Sequence, residues 1–217
     1  MAILRNGIFG PVSGKLGGTV VYELNNRTVV RVVGKNTTPP SFRQLVNRNE
    51  MRVVNTFLKH LLTFIKIGFA QEAKTRNMYP HNVAVSYIKQ HALTGVYPNV
   101  EVDFEKVVLS SGNLPGLGEP NVLLTAEGLK FSWDPQSWMG WVHCNDQAML
   151  LAYFPDVDTN KGVRNSYYTL DGAKRMMGGD FLPIPAELLQ ERMEVYISVL
   201  SHDRKILGTS MYLGRIN

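Results

Sequence analysis

Short strand signals follow one another through residues 98–217, and this pattern restricts the fold more than any other feature of the chain. Segments rich in β-branched and aromatic residues alternate there with glycine, proline, asparagine and aspartate, which favour turns. In LKFSW, for example, Leu129, Phe131 and Trp133 lie on one side of a strand. Six or seven short strands in about 120 residues are typical of a β-sandwich. The predicted strands lie in VEVDFEKVVLS, NVLLTAEGLKFSWD, QAMLLAYF, SYYTLDGA, MEVYISVLSH and KILGTSMYL, with a terminal hairpin of Glu194–Ser201 and Lys205–Leu213.

The part of the chain before the sandwich has a helical pattern instead. A capping-box pattern begins at Ser41, and apolar residues then recur at helical spacing from Leu45 to Ile65. A second helix is predicted from Pro80 to Leu93, because proline is favoured at the first helical position and Gly95 ends the pattern. The sequence thus predicts a two-helix segment whose long first helix has one apolar and one basic face.

The N-terminal segment contains a predicted β-hairpin. Two β-branched runs, Thr19–Leu24 and Thr28–Val33, flank Asn25-Asn26-Arg27, and asparagine tolerates the positive φ of tight turns. A two-stranded ribbon is marginal in water, so we expect it to pack against its own domain or another subunit. The predicted class is α+β. Its domains are an arm plus basic helical segment in residues 1–97 and a sandwich of the immunoglobulin or fibronectin type III kind in residues 98–217.

The glycine-rich stretch GIFGPVSGKLGG, residues 7–18, contains the tripeptide Ser-Gly-Lys that also occurs in phosphate-binding loops. Such a loop requires G-x-x-x-x-G-K-[ST] between a strand and a helix. The first position of that pattern is Phe9, the residue after Lys15 is Leu16, and the following segment is a predicted strand. We therefore interpret the glycines as structural, since they allow positive φ and close backbone packing.

Other candidates for chemistry also lack the required context. His143 and Cys144 are neighbours, and neighbours on a strand point to opposite faces. The segment DVDTNKG, residues 156–162, resembles a calcium loop but carries Lys161 where glycine is needed. Glu101, Asp103 and Glu105 alternate along a predicted edge strand and are interpreted as solvated. We predict no catalytic residue, no metal site and no cofactor.

Charge is distributed unevenly along the chain. Residues 1–95 contain 13 Lys/Arg and 3 Asp/Glu, whereas residues 96–217 contain 10 and 15. A basic half suits a polyanion or the acidic half of a neighbouring copy, although a solvated basic helix face has the same composition.

The sequence predicts a protein outside membranes. The N-terminus lacks the apolar run of a secretory signal, and no window reaches the roughly 20 apolar residues of a spanning helix. The single cysteine, Cys144, excludes an intrachain disulfide and fits a reducing compartment. We expect a cytoplasmic or particle-associated protein; the sequence does not indicate a role for Cys144.

Several segments match one family in collinear order over nearly the whole chain. They are NGIFGPVSGKLGGTVVY at Asn6–Tyr22, RTVVRVVGKNTTPPSFRQLVNR at Arg27–Arg48, IGF at Ile67–Phe69, NVAVSYIKQHALTGVYPNVEVDFEKVVLSSGNLPG at Asn82–Gly116, DQAMLLAYFP at Asp146–Pro155 and SMYLG at Ser210–Gly214. On these segments the sequence resembles a family of uncharacterised proteins common in Bacteroidota and their phages. Members usually carry threonine in place of Ser41 and a closing strand richer in serine and asparagine. The resemblance implies a non-enzymatic protein with a phage-like N-terminus.

These observations lead to one expected function and one alternative. We expect a structural subunit that assembles in many copies, in a virion or phage-derived particle, through its glycine-rich β-arm. Its partners would be copies of itself and other particle proteins. The alternative is a nucleic-acid-binding protein that uses the basic half. The expected assembly residues are Gly7, Gly10, Gly14, Lys15, Gly17, Gly18, Val20, Tyr22, Val29 and Arg31, and the expected polyanion-binding residues are Arg27, Lys35, Arg43, Arg48 and Arg52.

Overall fold

The chain forms two compact units, Met1–Ser41 and Phe42–Asn217, which we call the arm and the body. The structure is a computed structural model that describes residues 2–4, 12–24, 27–35, 37–135, 142–157 and 163–217. The domain boundary predicted between residues 97 and 98 falls inside the body. The helices and one face of a β-sheet bury a shared apolar core, so a boundary at residue 97 would divide that core.

The arm is an antiparallel sheet of four consecutive strands in the order β1-β2-β3-β4. The two strands of the predicted hairpin are confirmed as β3 and β4, and the glycine-rich stretch contributes β2 and the Gly17–Gly18 turn. The arm is therefore wider than the two-stranded ribbon that the sequence predicts. Its strands are β1 (Ala2–Leu4), β2 (Val12–Leu16), β3 (Thr19–Leu24) and β4 (Arg27–Val32).

Four α-helices lie between Phe42 and His91 in the body. The predicted second helix is confirmed, but the predicted long first helix is wrong because it is interrupted at residues 59–61. There the backbone carbonyl of His60 accepts a hydrogen bond from the Ser166 hydroxyl at 3.0 Å, a contact 106 residues away along the chain. The helices are α1 (Phe42–Leu58), α2 (Leu62–Gly68), α3 (Ala70–Thr75) and α4 (Pro80–His91).

The remaining strands of the body form a short hairpin and two antiparallel sheets. Strands β5 and β6 form the hairpin, β11-β8-β7 the outer sheet, and β10-β9-β12-β13 the central sheet. Of the seven described strands of these two sheets, three form the outer sheet and four form the central sheet. This is the arrangement of a fibronectin type III-like sandwich. The predicted α+β class and sandwich are confirmed. The strands are β5 (Leu93–Val96), β6 (Asn99–Val102), β7 (Gly118–Thr125), β8 (Gly128–Asp134), β9 (Gln147–Tyr153), β10 (Ser166–Thr169), β11 (Gly179–Pro183), β12 (Met193–Leu200) and β13 (Met211–Ile216).

The central sheet is buried on both faces, which explains the near-continuous apolar runs of its two inner strands. Every residue of β12 is buried, and only the first residue of β9 is not. One face, with Leu150 and Ile197, packs on the outer sheet through Phe131. The opposite face, with Leu151 and Tyr196, packs on the helices. The body is therefore a three-layer arrangement with the central sheet in the middle.

Several strand predictions differ from the structure. The predicted strand VEVDFEKVVLS ends at Val102, where a one-turn 3₁₀ helix, Phe104–Lys106, follows. The last strand begins at Met211, and not at Lys205, because the connection bends through Leu207 and Gly208 to contact Leu114. No helix in the described part of the chain is long and apolar enough to cross a bilayer.

Candidate functional site

The arm sheet has two chemically different faces. The strand register pairs Val21 with Gly14 on β2 and with Val30 on β4, so these residues share a face. The exposed fractions on this face are 62% for Leu16, 63% for Val30 and 78% for Val32, whereas Val21 in the middle of the sheet is 8% exposed. We call this surface the apolar face; Thr19, Glu23 and Thr28 share it, and its described apolar members include Val12, Leu16, Val21, Val30 and Val32.

Most of the predicted assembly residues lie on the opposite face or in the turn. Lys15 pairs with Val20 and Tyr22 pairs with Val29, and the guanidinium carbon of Arg31 lies 5.7 Å from the Tyr22 ring centroid. The turn between β2 and β3 contains Gly17, whose φ of 58° favours glycine. Of the other predicted residues, Gly14 has a φ of 115°, Gly18 is the second turn residue, and Gly7 and Gly10 lie outside the described residues.

The sequence interpretation therefore identified the arm but missed its apolar face. The prediction selected Val20, Tyr22 and Val29, which share a face with Lys15 and Arg31. The residues of the apolar face could be predicted from the alternation of side chains along a strand. Val30 and Val32 alternate there with Val29 and Arg31. The weak alternation of these β-branched runs concealed which face is the more apolar one.

The predicted polyanion-binding residues divide between the two units. Arg27 and Lys35 are exposed in the arm, and Arg43, Arg48 and Arg52 are exposed on α1 of the body. Arg48 and Arg52 are one helical turn apart, and Arg52 donates a hydrogen bond to the Asn49 side chain at 2.7 Å. No ion pair of these five side chains is found within the described ranges.

A groove of about 840 Å³ opens in the body beside α1, β6 and β13. Its lining mixes both signs of charge. Asp103 is held by a salt bridge from Lys106 at 2.5 Å, which lowers the pKa of the carboxyl group. The three acidic residues predicted on one strand face do reach the groove, but only Glu101 lies in a strand. The charged lining consists of Arg52, Arg192, Arg215, Glu101, Asp103, Glu105 and Asp156.

A fully buried carboxylate, Glu194, lies at the start of β12 beside this groove. Arg192 donates to it from Nε and Nη2 at 3.0 and 2.9 Å, and Arg215 donates from Nε at 3.0 Å. The Tyr212 hydroxyl donates to the second carboxylate oxygen at 2.5 Å. All four contacts are charge-assisted hydrogen bonds, so the buried charge is compensated.

A β-bulge in β13 makes this arrangement possible. Residues three apart on a regular strand face opposite sides, so Tyr212 and Arg215 would not meet the same carboxylate. The register of β12 and β13 shifts between Val195 and Tyr196, and Gly214 takes a φ of 116° there. The bulge turns both side chains toward Glu194, which is a known use of bulges.

Three tyrosines line or adjoin the groove: Tyr153 and Tyr196 are buried, and Tyr212 is half-buried. Burial, with the negative charge of Asp156, raises the pKa of Tyr153 to about 12. Burial and Glu194 also raise the pKa values of Tyr196 and Tyr212. The Tyr196 hydroxyl donates to the Phe104 carbonyl at 2.7 Å, and the Tyr212 hydroxyl donates to Glu194.

A second buried charge, Arg175, joins three loops of the body. Its two terminal nitrogens donate to the carbonyls of Pro115 and Gly116, both at 2.6 Å, and Asp146 lies 3.8 Å away. Burial lowers the pKa of Arg175, and the Asp146 carboxylate opposes that effect. The sequence interpretation missed this pair, because nothing local distinguishes it from surface charges.

The segment that contains Cys144 is a turn, so the strand argument used for it does not apply. His143 Nδ1 lies 3.0 Å from the Asp146 carboxylate, and Cys144 is half-buried. Of the segment that resembles a calcium loop, residues 158–162 lie outside the described residues.

Comparison with known proteins places this chain in one family. Neither a curated protein nor a solved structure matches the sequence. A family model described as a family of unknown function, DUF6266, matches residues 12–214, from the first residue of β2 to the bulge glycine of β13. The match includes β2, β3 and β4 of the arm as well as nearly all of the body. The chain therefore belongs to this family of unknown function, DUF6266.

Proposed function

We propose that the protein is a non-enzymatic structural subunit that self-assembles in many copies through its β-arm. The observation that carries the proposal is the apolar face of the arm, on which Leu16, Val30 and Val32 are each more than half exposed. A sheet gains stability by burying its apolar face against another layer. Exposed apolar patches of this kind commonly mark protein–protein contacts. Neighbouring copies supply that second layer.

The particle that we propose is a virion or a phage-derived assembly. The support for this is the sequence resemblance to proteins of Bacteroidota and their phages, together with the separate arm. Strands can form contacts between subunits by pairing with an exposed sheet edge of a neighbouring copy. Such contacts are heterologous when the arm binds a different surface of the neighbouring copy. Heterologous contacts build rings or filaments. Other particle proteins are further proposed partners.

Deletion of residues 1–37 is expected to leave a folded but non-assembling body. The deletion removes the arm strands and leaves α1 and the apolar core of the body intact. Light scattering coupled to size-exclusion chromatography should give a multimeric mass for the full chain and a monomeric mass for the deletion variant. A full chain that stays monomeric at high protein concentration and low salt contradicts the proposal.

A matched pair of point variants separates the apolar face from the arm as a whole. Leu16→Asp places a charge on the apolar face, and Ser13→Asp places the same charge on the opposite, exposed face of the same strand. We expect Leu16→Asp to weaken assembly at least about tenfold, since burying an unpaired carboxylate is costly. Ser13→Asp should assemble as the full chain does.

The alternative function is binding of nucleic acid by the basic residues. Its support is the exposure of Arg43, Arg48 and Arg52 on one helix, with no ion pair from them within the described residues. Phosphate contacts release counterions, so binding to random DNA or RNA must weaken as salt rises. We expect a slope of log K against log salt near −2 to −3 if these three arginines each contact a phosphate. A slope near zero eliminates this alternative.

A further inference from the structure

The outer edge of β4 presents backbone groups that pair with no other described strand. Strand β4 is the last strand of the arm sheet and pairs only with β3 among the described strands. Outside that register, the Val33 amide donates to the Gly18 carbonyl at 2.8 Å. Because hydrogen-bonded and non-hydrogen-bonded pairs alternate, this contact determines which residues of β4 point away from β3. They are Thr28, Val30 and Val32.

We propose that β4 pairs antiparallel with the β4 of a second copy, with Val30 opposite its own counterpart. This inference rests on the proposed self-assembly and specifies its contact. In this register Thr28 lies opposite Val32 of the other copy, and each such pair exchanges two backbone hydrogen bonds. The contact makes about six backbone hydrogen bonds, and it uses the outward groups of all three residues on both copies. The two arms become one continuous sheet.

Charge selects this register over its neighbours. A shift by two residues in one direction places Arg27 opposite Arg31 of the other copy. The same shift in the other direction places Arg31 opposite Arg31. Like charges directly opposite one another destabilise a sheet. With Val30 opposite Val30, each Arg31 lies opposite Val29, and each Arg27 lies opposite Val33.

The same register joins the two apolar faces into one. A twofold axis perpendicular to the sheet keeps each face on its own side, so Val30 and Val32 of both copies form one apolar stripe. Val30 and Val32 are exposed by 63% and 78% in a single arm. An exposed apolar edge strand is prone to pair with another chain, which makes a second copy the partner that β4 fits. This contact is isologous, so further growth requires a second surface.

Cysteine cross-linking in the full chain tests the register. In a Cys144→Ser background, Val30→Cys should form an intermolecular disulfide on mild oxidation, because hydrogen-bonded pairs have Cα atoms about 5.5 Å apart. Val32→Cys is the matched control on the same strand. Its sulfur atoms would be separated by four residues along the strand, or about 13 Å, which is too far for a disulfide. Non-reducing electrophoresis measures the dimer fraction.

A double variant tests the same register without replacing Val30, in case the Val30→Cys variant does not fold. Thr28→Cys combined with Val32→Cys in one chain should form dimers, because each cysteine then faces the other type in the second copy. Efficient dimers from Val30→Cys and from the double variant support the register. The register is wrong if the full chain assembles but neither Val30→Cys nor the double variant forms cross-linked dimers. It is also wrong if Val32→Cys is the one variant that cross-links. In both cases the proposed self-assembly is not contradicted. If the full chain is monomeric by light scattering, the proposed function itself fails.

Discussion

Replacing Arg175 by methionine is expected to lower the free energy of unfolding by about 3–5 kcal/mol. Arg175 is 1% exposed and Asp146 is 2% exposed, so the substitution removes a buried guanidinium that lies 3.8 Å from a buried carboxylate. It also removes the donors of the Pro115 and Gly116 carbonyls. A buried polar group that loses its hydrogen-bond partner destabilises the fold by the full free energy of its desolvation. Urea denaturation followed by circular dichroism measures the loss.

Lys174→Met is the matched control for Arg175→Met. Lys174 precedes Arg175 in sequence and is exposed, so its replacement should change stability by no more than about 0.5 kcal/mol. Arg175→Lys should not restore stability, because an ammonium group cannot reproduce the planar fork of donors. Equal stabilities of the Arg175→Met and Lys174→Met variants would show that this buried pair does not hold the loops together.

The second largest effect is expected from Glu194→Gln, at about 2–3 kcal/mol of lost stability. The neutral amide lacks the negative charge to which the three arginine hydrogen bonds are made. Its amino group also cannot accept the hydrogen bond that the Tyr212 hydroxyl donates. The loss stays below that for Arg175 because Arg192 and Arg215 are 32% and 55% exposed, so water solvates them when their partner is lost.

Glu191→Gln, the same change at an exposed position three residues earlier, is the control and should alter stability by at most about 0.5 kcal/mol. Tyr212→Phe removes only one donor and should cost about 1 kcal/mol. Thermal and urea unfolding of the three variants would test this order. A Glu194→Gln variant as stable as Glu191→Gln would mean that the carboxylate contributes nothing through its charge.

Local pattern predicted the elements of this fold well where one residue type determined the conformation. Pro80 marked the first residue of α4, and the β-branched runs on either side of Asn25-Asn26-Arg27 became β3 and β4. The apolar periodicity continued past Leu58, however, while the helix stopped there. At the interruption the His60 carbonyl accepts a hydrogen bond from Ser166, a residue that no local window around residue 60 contains.

The candidate sites were less predictable than the fold. Glu194 is the only charged residue in the largely apolar run MEVYISVL, and a charge inside such a run was the available signal for a buried carboxylate. Gly214 near the end of the last strand was a second signal, because glycine inside a strand often marks a bulge. Neither residue identifies Arg192, Tyr212 and Arg215 as the partners, since that requires the pairing of β12 with β13.

The sequence by itself determined the α+β class, the hairpin of the arm, most strands of the sandwich, and the basic character of the N-terminal half. These follow from hydrophobic periodicity, turn residues and composition, which act over a few neighbouring residues. Only the tertiary structure decided that the helices pack on one face of the central sheet, that Glu194 meets Tyr212 and Arg215 of β13, and that Arg175 joins distant loops. Each of these depends on strand register and on contacts between residues far apart in the chain. A shift of one residue in register would turn every side chain of a strand to its other face.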